Sequence, residues 1–217
     1  PLEEEQIQLF FSDIEPLAAS KVLLRMEKET LSVDQRVLAQ ELQLTVRGQD
    51  KIGIIGSNGI GKSTLLAKIH QLLSDKREIS LGFMPQDYQE TLQLDLSPVE
   101  FLSQTGHKEE IQKIQSHLAS LNFSYPEMHH QIHSLSGGQQ GKLLLLNLVL
   151  RKPNFLLLDE PTRNFSPTSQ PEIRKLFANY SGGLVTVSHD RRFLKEVCTS
   201  IYSLTEHGLE VVDLQDL

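Results

Sequence analysis

Gly56 to Thr64 reads Gly-Ser-Asn-Gly-Ile-Gly-Lys-Ser-Thr, a complete match to the pattern G-x-x-x-x-G-K-[ST]. An apolar run, Ile52-Gly53-Ile54-Ile55, precedes it, and an apolar, helix-favouring segment, Leu65 to Leu73, follows it. Strand, turn and helix are the context this pattern needs to bind phosphate. The glycines let the backbone curl until successive N–H groups point into one concavity, an anion nest at a helix N-terminus. The expected nucleotide-binding set is Gly56, Ser57, Asn58, Gly59, Ile60, Gly61, Lys62, Ser63 and Thr64. Lys62 is expected to reach the β- and γ-phosphates, and the Ser63 hydroxyl to hold Mg²⁺. The chemistry is that of a nucleoside triphosphate site.

Three further clusters could share that chemistry. Leu156-Leu157-Leu158-Asp159-Glu160 is a hydrophobic strand ending in two acids. In phosphate-loop enzymes a strand-terminal aspartate holds Mg²⁺ beside the loop hydroxyl, and Asp159 is placed for that. Side chains alternate along a strand, so Glu160 is expected to point away from Asp159 and to polarise an attacking water as general base. Leu135-Ser136-Gly137-Gly138-Gln139 stands before an apolar helix, Lys142 to Leu150, and offers unpaired amides and a positive dipole end as a second phosphate surface. His189 follows the strand Leu184 to Val187 in the run Val187-Ser188-His189-Asp190. The other histidines (His70, His107, His117, His129, His130, His133 and His207) show no spacing that suggests a metal site.

Strands alternating with helices must position these groups. Strands are expected at Val22–Met26, Leu42–Val46, Lys51–Ile55, Ile79–Met84, Phe155–Leu158 and Leu184–Val187, with a closing hairpin at 201–204 and 209–212. The pattern implies a largely parallel sheet with right-handed crossovers. From about Leu92 to His133 the chain turns helical: Ser97-Pro98-Val99-Glu100 is a capping box, and Ile111, Ile114, Leu118 and Leu121 recur at helical spacing. Residues 1–20, with Glu3-Glu4-Glu5 and then Ile7, Leu9, Phe10 and Phe11, read as a linker tail whose apolar residues lie against the domain.

At 217 residues the chain can bury a substantial core. The net charge of −7 gives no general basic surface for nucleic acid or anionic lipid. The single cysteine, Cys198, allows no internal disulfide, fits a reducing cytosol and is expected to be a packed thiol. No apolar run approaches the length needed to cross a bilayer.

The phosphate loop, the Ser-Gly-Gly segment and the strand-Asp-Glu together resemble the nucleotide-binding domain of ATP-binding cassette (ABC) proteins. The resemblance covers about Val22 to Val212. It implies an α/β phosphate-loop NTPase fold: a largely parallel sheet flanked by helices, a small antiparallel part and a helical insert. Residues 21–217 would be the cassette, with the helical subdomain at about 92–150. It implies an ATPase using ATP and Mg²⁺. Lys62, Gln86, Glu160 and His189 would be catalytic, with Gln86 matching the family's Q-loop glutamine and His189 its switch histidine. Ser63, Gln86 and Asp159 would organise Mg²⁺, and Leu135 to Gln139 would face the ATP of a second cassette, tandem in one longer chain or in a homodimer.

Ser188-His189-Asp190-Arg191-Arg192-Phe193-Leu194, Met84-Pro85-Gln86-Asp87-Tyr88 and Gln139-Gln140-Gly141-Lys142 are similar to the soluble, cytoplasmic ABC-F group. Many of that group act on the ribosome, as translation factors or as protectors against antibiotics. The resemblance implies a C-terminal cassette reaching a ribosome through segments outside this chain, with no insertion into a membrane. Two alternatives stand beside this: the motor subunit of a membrane transporter, and an ATP-binding clamp without useful hydrolysis. Three departures bear on it. Val33 stands near the family's adenine-stacking aromatic, Pro161-Thr162-Arg163-Asn164-Phe165-Ser166 puts serine where an acid usually crosses to the partner, and the phosphate loop to Gln86 distance is short.

Overall fold

A computed structural model describes residues 9–217; the expectations for Glu3–Glu5 and Ile7 fall outside them. The strands are β1 (Val22–Val33), β2 (Arg36–Arg47), β3 (Lys51–Ile55), β4 (Leu81–Met84), β5 (Phe155–Asp159), β6 (Gly183–Val187), β7 (Ser200–Thr205) and β8 (Gly208–Val212). The helices are α1 (Lys62–Ser74), α2 (Pro98–Leu102), α3 (Lys108–Ser120), α4 (Tyr125–His129), α5 (Gly137–Arg151), α6 (Gln170–Ala178) and α7 (Arg191–Val197). Six strands form one sheet in the order β4-β5-β6-β3-β7-β8, parallel throughout except for the edge pair β7-β8.

The sequence of β5 and β6 explains why they lie in the middle. Every residue in both strands is buried, as a parallel strand covered on both faces requires. Alternation then divides the side chains between two cores. Leu156 and Leu158 pack with α5, α6 and α7, whereas Phe155 and Leu157 pack with α1 and the β1–β2 sheet. The expected strand from Ile79 begins instead at Leu81; Ile79 is buried just ahead of it. Cys198 is buried against the first of these cores, and desolvation pushes its thiol up to about 12, so it is an inert packing group.

The antiparallel part is larger than the alternation in sequence suggests. The short strands expected at Val22–Met26 and Leu42–Val46 are the inner halves of two 12-residue strands. They join at Asp34 and Gln35, whose φ values of 48° and 68° fit a two-residue hairpin turn of the I′ kind. Register shifts near Glu29 break the alternation, and the outward positions carry charge, so the outer half reads as a loop. This hairpin crosses over the phosphate loop: a Cβ on Gly61 would lie 2.9 Å from Leu38 Cδ1 and 3.2 Å from Leu31 Cδ2.

Between β4 and β5 lies the helical stretch. The capping box expected at Ser97 and Glu100 opens α2, and a second one, Ser124 with Glu127, opens α4. The helices α2, α3 and α4 pack on one another, while α5 runs against β4. At the N-terminal end Leu9 is buried and the Phe11 ring stands 4.7 Å from Tyr180 and 6.1 Å from Phe177, with Phe10 left exposed.

Close packing of α5 generates a prediction. Gly141 lies where a Cβ would fall 2.7 Å from Phe165 Cζ and 3.0 Å from Tyr88 Oη. Gly141→Ala is expected to destabilise the fold by about 1–3 kcal/mol through overpacking. A thermal unfolding midpoint equal to wild type would show that Phe165 yields freely.

Candidate active site

The phosphate loop leaves β3 at Ile55 and enters α1 at Lys62. Gly59 and Gly61 have φ values of 79° and 115°, conformations that side chains rarely adopt. Gly61 is the N-cap residue and offers no side chain, so the first-turn amides of α1 stay available to an anion. Lys62 is buried, and its ammonium donates to the carbonyls of Gly56 (2.5 Å) and Ser57 (3.0 Å). It is folded back onto the loop, so reaching phosphate requires exchanging those two bonds. Burial lowers its pKa, against the charges of Glu160 and Asp159.

At the end of β5, Asp159 is 6% exposed and its Oδ1 has no hydrogen-bond partner. Desolvation raises its pKa above the ordinary carboxylate value; a bond from Ser63 and the charges of Lys62 and Arg163 oppose this. Glu160 lies beyond the strand with φ 50°, and its N–H donates to Val187 O at 2.8 Å. A left-handed turn, not the strand pleat expected from the sequence, therefore separates the two carboxylates. Glu160 accepts from the His189 N–H at 3.2 Å, and His189 Nε2 lies 3.5 Å from Glu160 Oε1. Burial, again the largest cause, raises the Glu160 pKa too; the hydrogen bond from His189 opposes it.

These groups meet in a cleft of about 1040 Å³ at the C-terminal ends of the parallel strands, the usual ligand position in open α/β sheets. Asn58, Gly59, Gly61, Lys62, Ser63, Thr64, Gln86, Asp159, Glu160 and His189 all line it. Gly56, Ser57 and Ile60 border instead a second cavity of about 570 Å³, which His189 also lines. The Ser136 segment lines neither cavity. Its hydroxyl accepts from the Gln139 N–H at 3.2 Å, closing a capping box at the start of α5, and a Cβ on Gly137 or Gly138 would meet open space.

Sequence reasoning missed part of the wall. Asp34, Arg36 and Leu38 join Val33 along the far end, brought there by the extended hairpin. Thr162, Arg163, Gln170 and Asp190 line the near end. Thr162 donates to Asp190 Oδ2 at 2.9 Å, and Asp190 also caps α7. The advance signals were the departures at Val33 and residues 162–166 and the Asp190 that follows His189.

The unpartnered Asp159 oxygen and the adjacent Ser63 hydroxyl form an oxygen donor pair that fits Mg²⁺, which favours carboxylate and hydroxyl oxygens. Without a cation, the ionised Asp159 weakens the fold. Its folded pKa lies above the unfolded one, so the cost is absent below the unfolded value and fully present above the folded value. Asp159→Asn is therefore expected to raise the unfolding midpoint at pH 7 by about 2–4 °C in the absence of ligand, and to lose the stabilisation that Mg²⁺ adds to bound nucleotide. A lower midpoint in ligand-free scanning fluorimetry would show instead that the charge stabilises.

The sequence profile of the family described as ABC transporter matches residues 39–163. The chain is 30% identical over 210 residues to the probable ATP-binding protein YheS of Escherichia coli K12, covering 94% of this chain and 33% of that protein. It is 27% identical over 217 residues to ABC transporter F family member 2 of Arabidopsis thaliana, covering 96% of this chain and 32% of that one. The chain thus spans about a third of the length of these relatives. Among solved structures, the dimeric post-hydrolysis state of the ATP-binding cassette MJ0796 with ADP and Pi aligns with TM-score 0.71 at 18% identity, covering 89% of this chain and 98% of that one. At that identity the likeness speaks for the fold. With the family profile spanning more than half of its residues, from β2 through the acids that end β5, the chain belongs to the ABC transporter family, as an ATPase cassette.

Proposed function

We propose that this cassette hydrolyses ATP within a soluble, cytoplasmic F-group protein, paired with a second cassette. One observation carries the reading. The phosphate loop, Asp159 and the Glu160–His189 pair converge in one cleft, while the exposed Ser-Gly-Gly end of α5 has no place in it.

The residues divide the work as follows. The loop amides and Lys62 bind the phosphates once Lys62 leaves the Gly56 and Ser57 carbonyls. Ser63, Gln86 and Asp159 would hold Mg²⁺, which neutralises phosphate charge when bound. Glu160 accepts the proton of the attacking water. Its raised pKa, caused first by burial, makes it a stronger base than a solvated carboxylate. His189 fixes the Glu160 carboxylate through its N–H, and its ring lies beside the same carboxylate in the cleft wall. Ser136, Gly137 and Gly138, with flanking Leu135 and Gln139, complete the partner's site, a role supported by the dimeric state of the MJ0796 cassette.

Residues 1–20 act as the linker, and residues 21–217 as the cassette with its helical subdomain at about 92–150. The likeness to family member 2 supports the F-group assignment; a ribosomal target reached through segments outside this chain, as a translation factor or in antibiotic resistance, rests on the resemblance of the sequence motifs to that group.

Glu160→Gln in the full-length protein is expected to keep ATP binding while phosphate release falls by about 10²–10⁴-fold. Unchanged turnover would overturn the assignment of the base. The same variant with ATP is expected to sediment with purified ribosomes more strongly than wild type. Failure of both forms to pellet would remove the ribosomal reading and leave the hydrolytic one intact.

A further inference from the structure

The loop from Glu160 to Gln170 is tied down at almost every point. The Arg163 N–H donates to Glu160 O at 3.2 Å, and Thr162 is bonded to Asp190. The Gln170 side chain donates to Phe165 O at 3.2 Å, and Phe165 is buried beneath Gly141. Ser166, at the place of the family's crossing acid, turns its hydroxyl inward to Thr168 (3.0 Å) and Ser169 (3.2 Å). On this anchored frame one long side chain stays exposed. Arg163 makes no side-chain hydrogen bond or ion pair among the described residues, and it lines the same cleft as Lys62, Ser63 and Asp159.

The charge balance of the cleft gives that guanidinium something to do. Four carboxylates (Asp34, Asp159, Glu160 and Asp190) line the cleft with a single ammonium, Lys62, and a triphosphate brings more negative charge to the same place. The other arginine in the wall, Arg36, stands at the far end beside Val33 and Asp34 on the hairpin. Arg163 begins three residues after Glu160 and is close enough for its charge to act on Asp159. Guanidinium groups present a planar fork of donors that matches phosphate oxygens, and anchoring the backbone lowers the entropy lost when the fork engages.

We propose that Arg163 contacts the terminal phosphate of a nucleoside triphosphate bound in its own cleft, and so sets the preference for triphosphate over diphosphate. This rests on the nucleotide-site reading above and deepens it. A diphosphate leaves no phosphoryl group beside Asp159 and Glu160, so the contact is lost and the guanidinium returns to water.

The test is calorimetric titration of the 217-residue chain with ATP and with ADP, each with Mg²⁺, for wild type, Arg163→Ala and Arg163→Lys. Loss of one charge-assisted bond is expected to weaken ATP binding about tenfold in Arg163→Ala. ADP affinity should stay within about twofold of wild type, since no contact is removed. Arg163→Lys should fall between, keeping the charge without the fork. Equal losses for ATP and ADP, or no loss for either, would overturn the inference while leaving the nucleotide site standing. A wild-type chain that binds neither nucleotide would overturn both. Matching unfolding midpoints for the three proteins exclude a folding defect as the cause.

Discussion

The most demanding constraint in this molecule is the desolvation of Asp159. A carboxylate with one bare oxygen at the end of a fully buried strand is expensive unless a cation arrives. Five consecutive buried residues leave β5 no freedom to move that charge towards water, because helices close both faces of the sheet. Nearby compensation is partial. Lys62 spends its hydrogen bonds on the loop carbonyls, and Arg163 acts only through its charge. The fold therefore stores an electrostatic deficit at the place where a metal–nucleotide complex would relieve it. Stability given up for a prepared site is a common exchange at functional centres.

Glu160 meets a related constraint in another way. Its left-handed backbone takes it off the line of β5 and ties its N–H to Val187, so the carboxylate is delivered to the residue that follows β6. Two adjacent acids thereby acquire different neighbours. Asp159 stays with Ser63 and Lys62, while Glu160 receives His189. Divergent environments for paired carboxylates are how one site obtains both a cation ligand and a base.

Much of this was legible in the sequence because the signals are local. A phosphate loop is nine consecutive residues, and four apolar residues before Asp159 and Glu160 announce a buried strand with a polar end. The serine cap at Ser97 likewise acts within three residues. What escaped depends on distant contacts. The outer half of the β1–β2 hairpin is charged and bulged, and only its passage over Gly61 makes Arg36 and Leu38 part of the cleft. The turn at Glu160 is fixed by a bond to Val187, 27 positions away, and no residue-type preference for a left-handed glutamate announces it. The orientation of Lys62 onto its own loop is likewise a tertiary outcome.

The start of α5 shows how the helical insert is joined to the chemistry. Two capping boxes stand back to back, Ser124 with Glu127 and Ser136 with Gln139. They are linked because the Gln139 amide also donates to the Glu127 carboxylate. One side chain thus accepts from the Ser136 N–H and donates to the neighbouring helix. Its bond network holds the Glu127 pKa below the usual carboxylate value, with the Ser124 N–H the largest cause. A rotation of α4 that left α5 behind would strand this carboxylate and open the cap of the Ser-Gly-Gly segment together. The other end of the coupling is Tyr88, two residues after Gln86, whose ring is buried against α5 near Gly141. The helix α5 is therefore held at its N-terminus by the insert and along its flank by the segment that carries Gln86. Displacement of either support would reach the Ser-Gly-Gly end through hydrogen bonds and close packing.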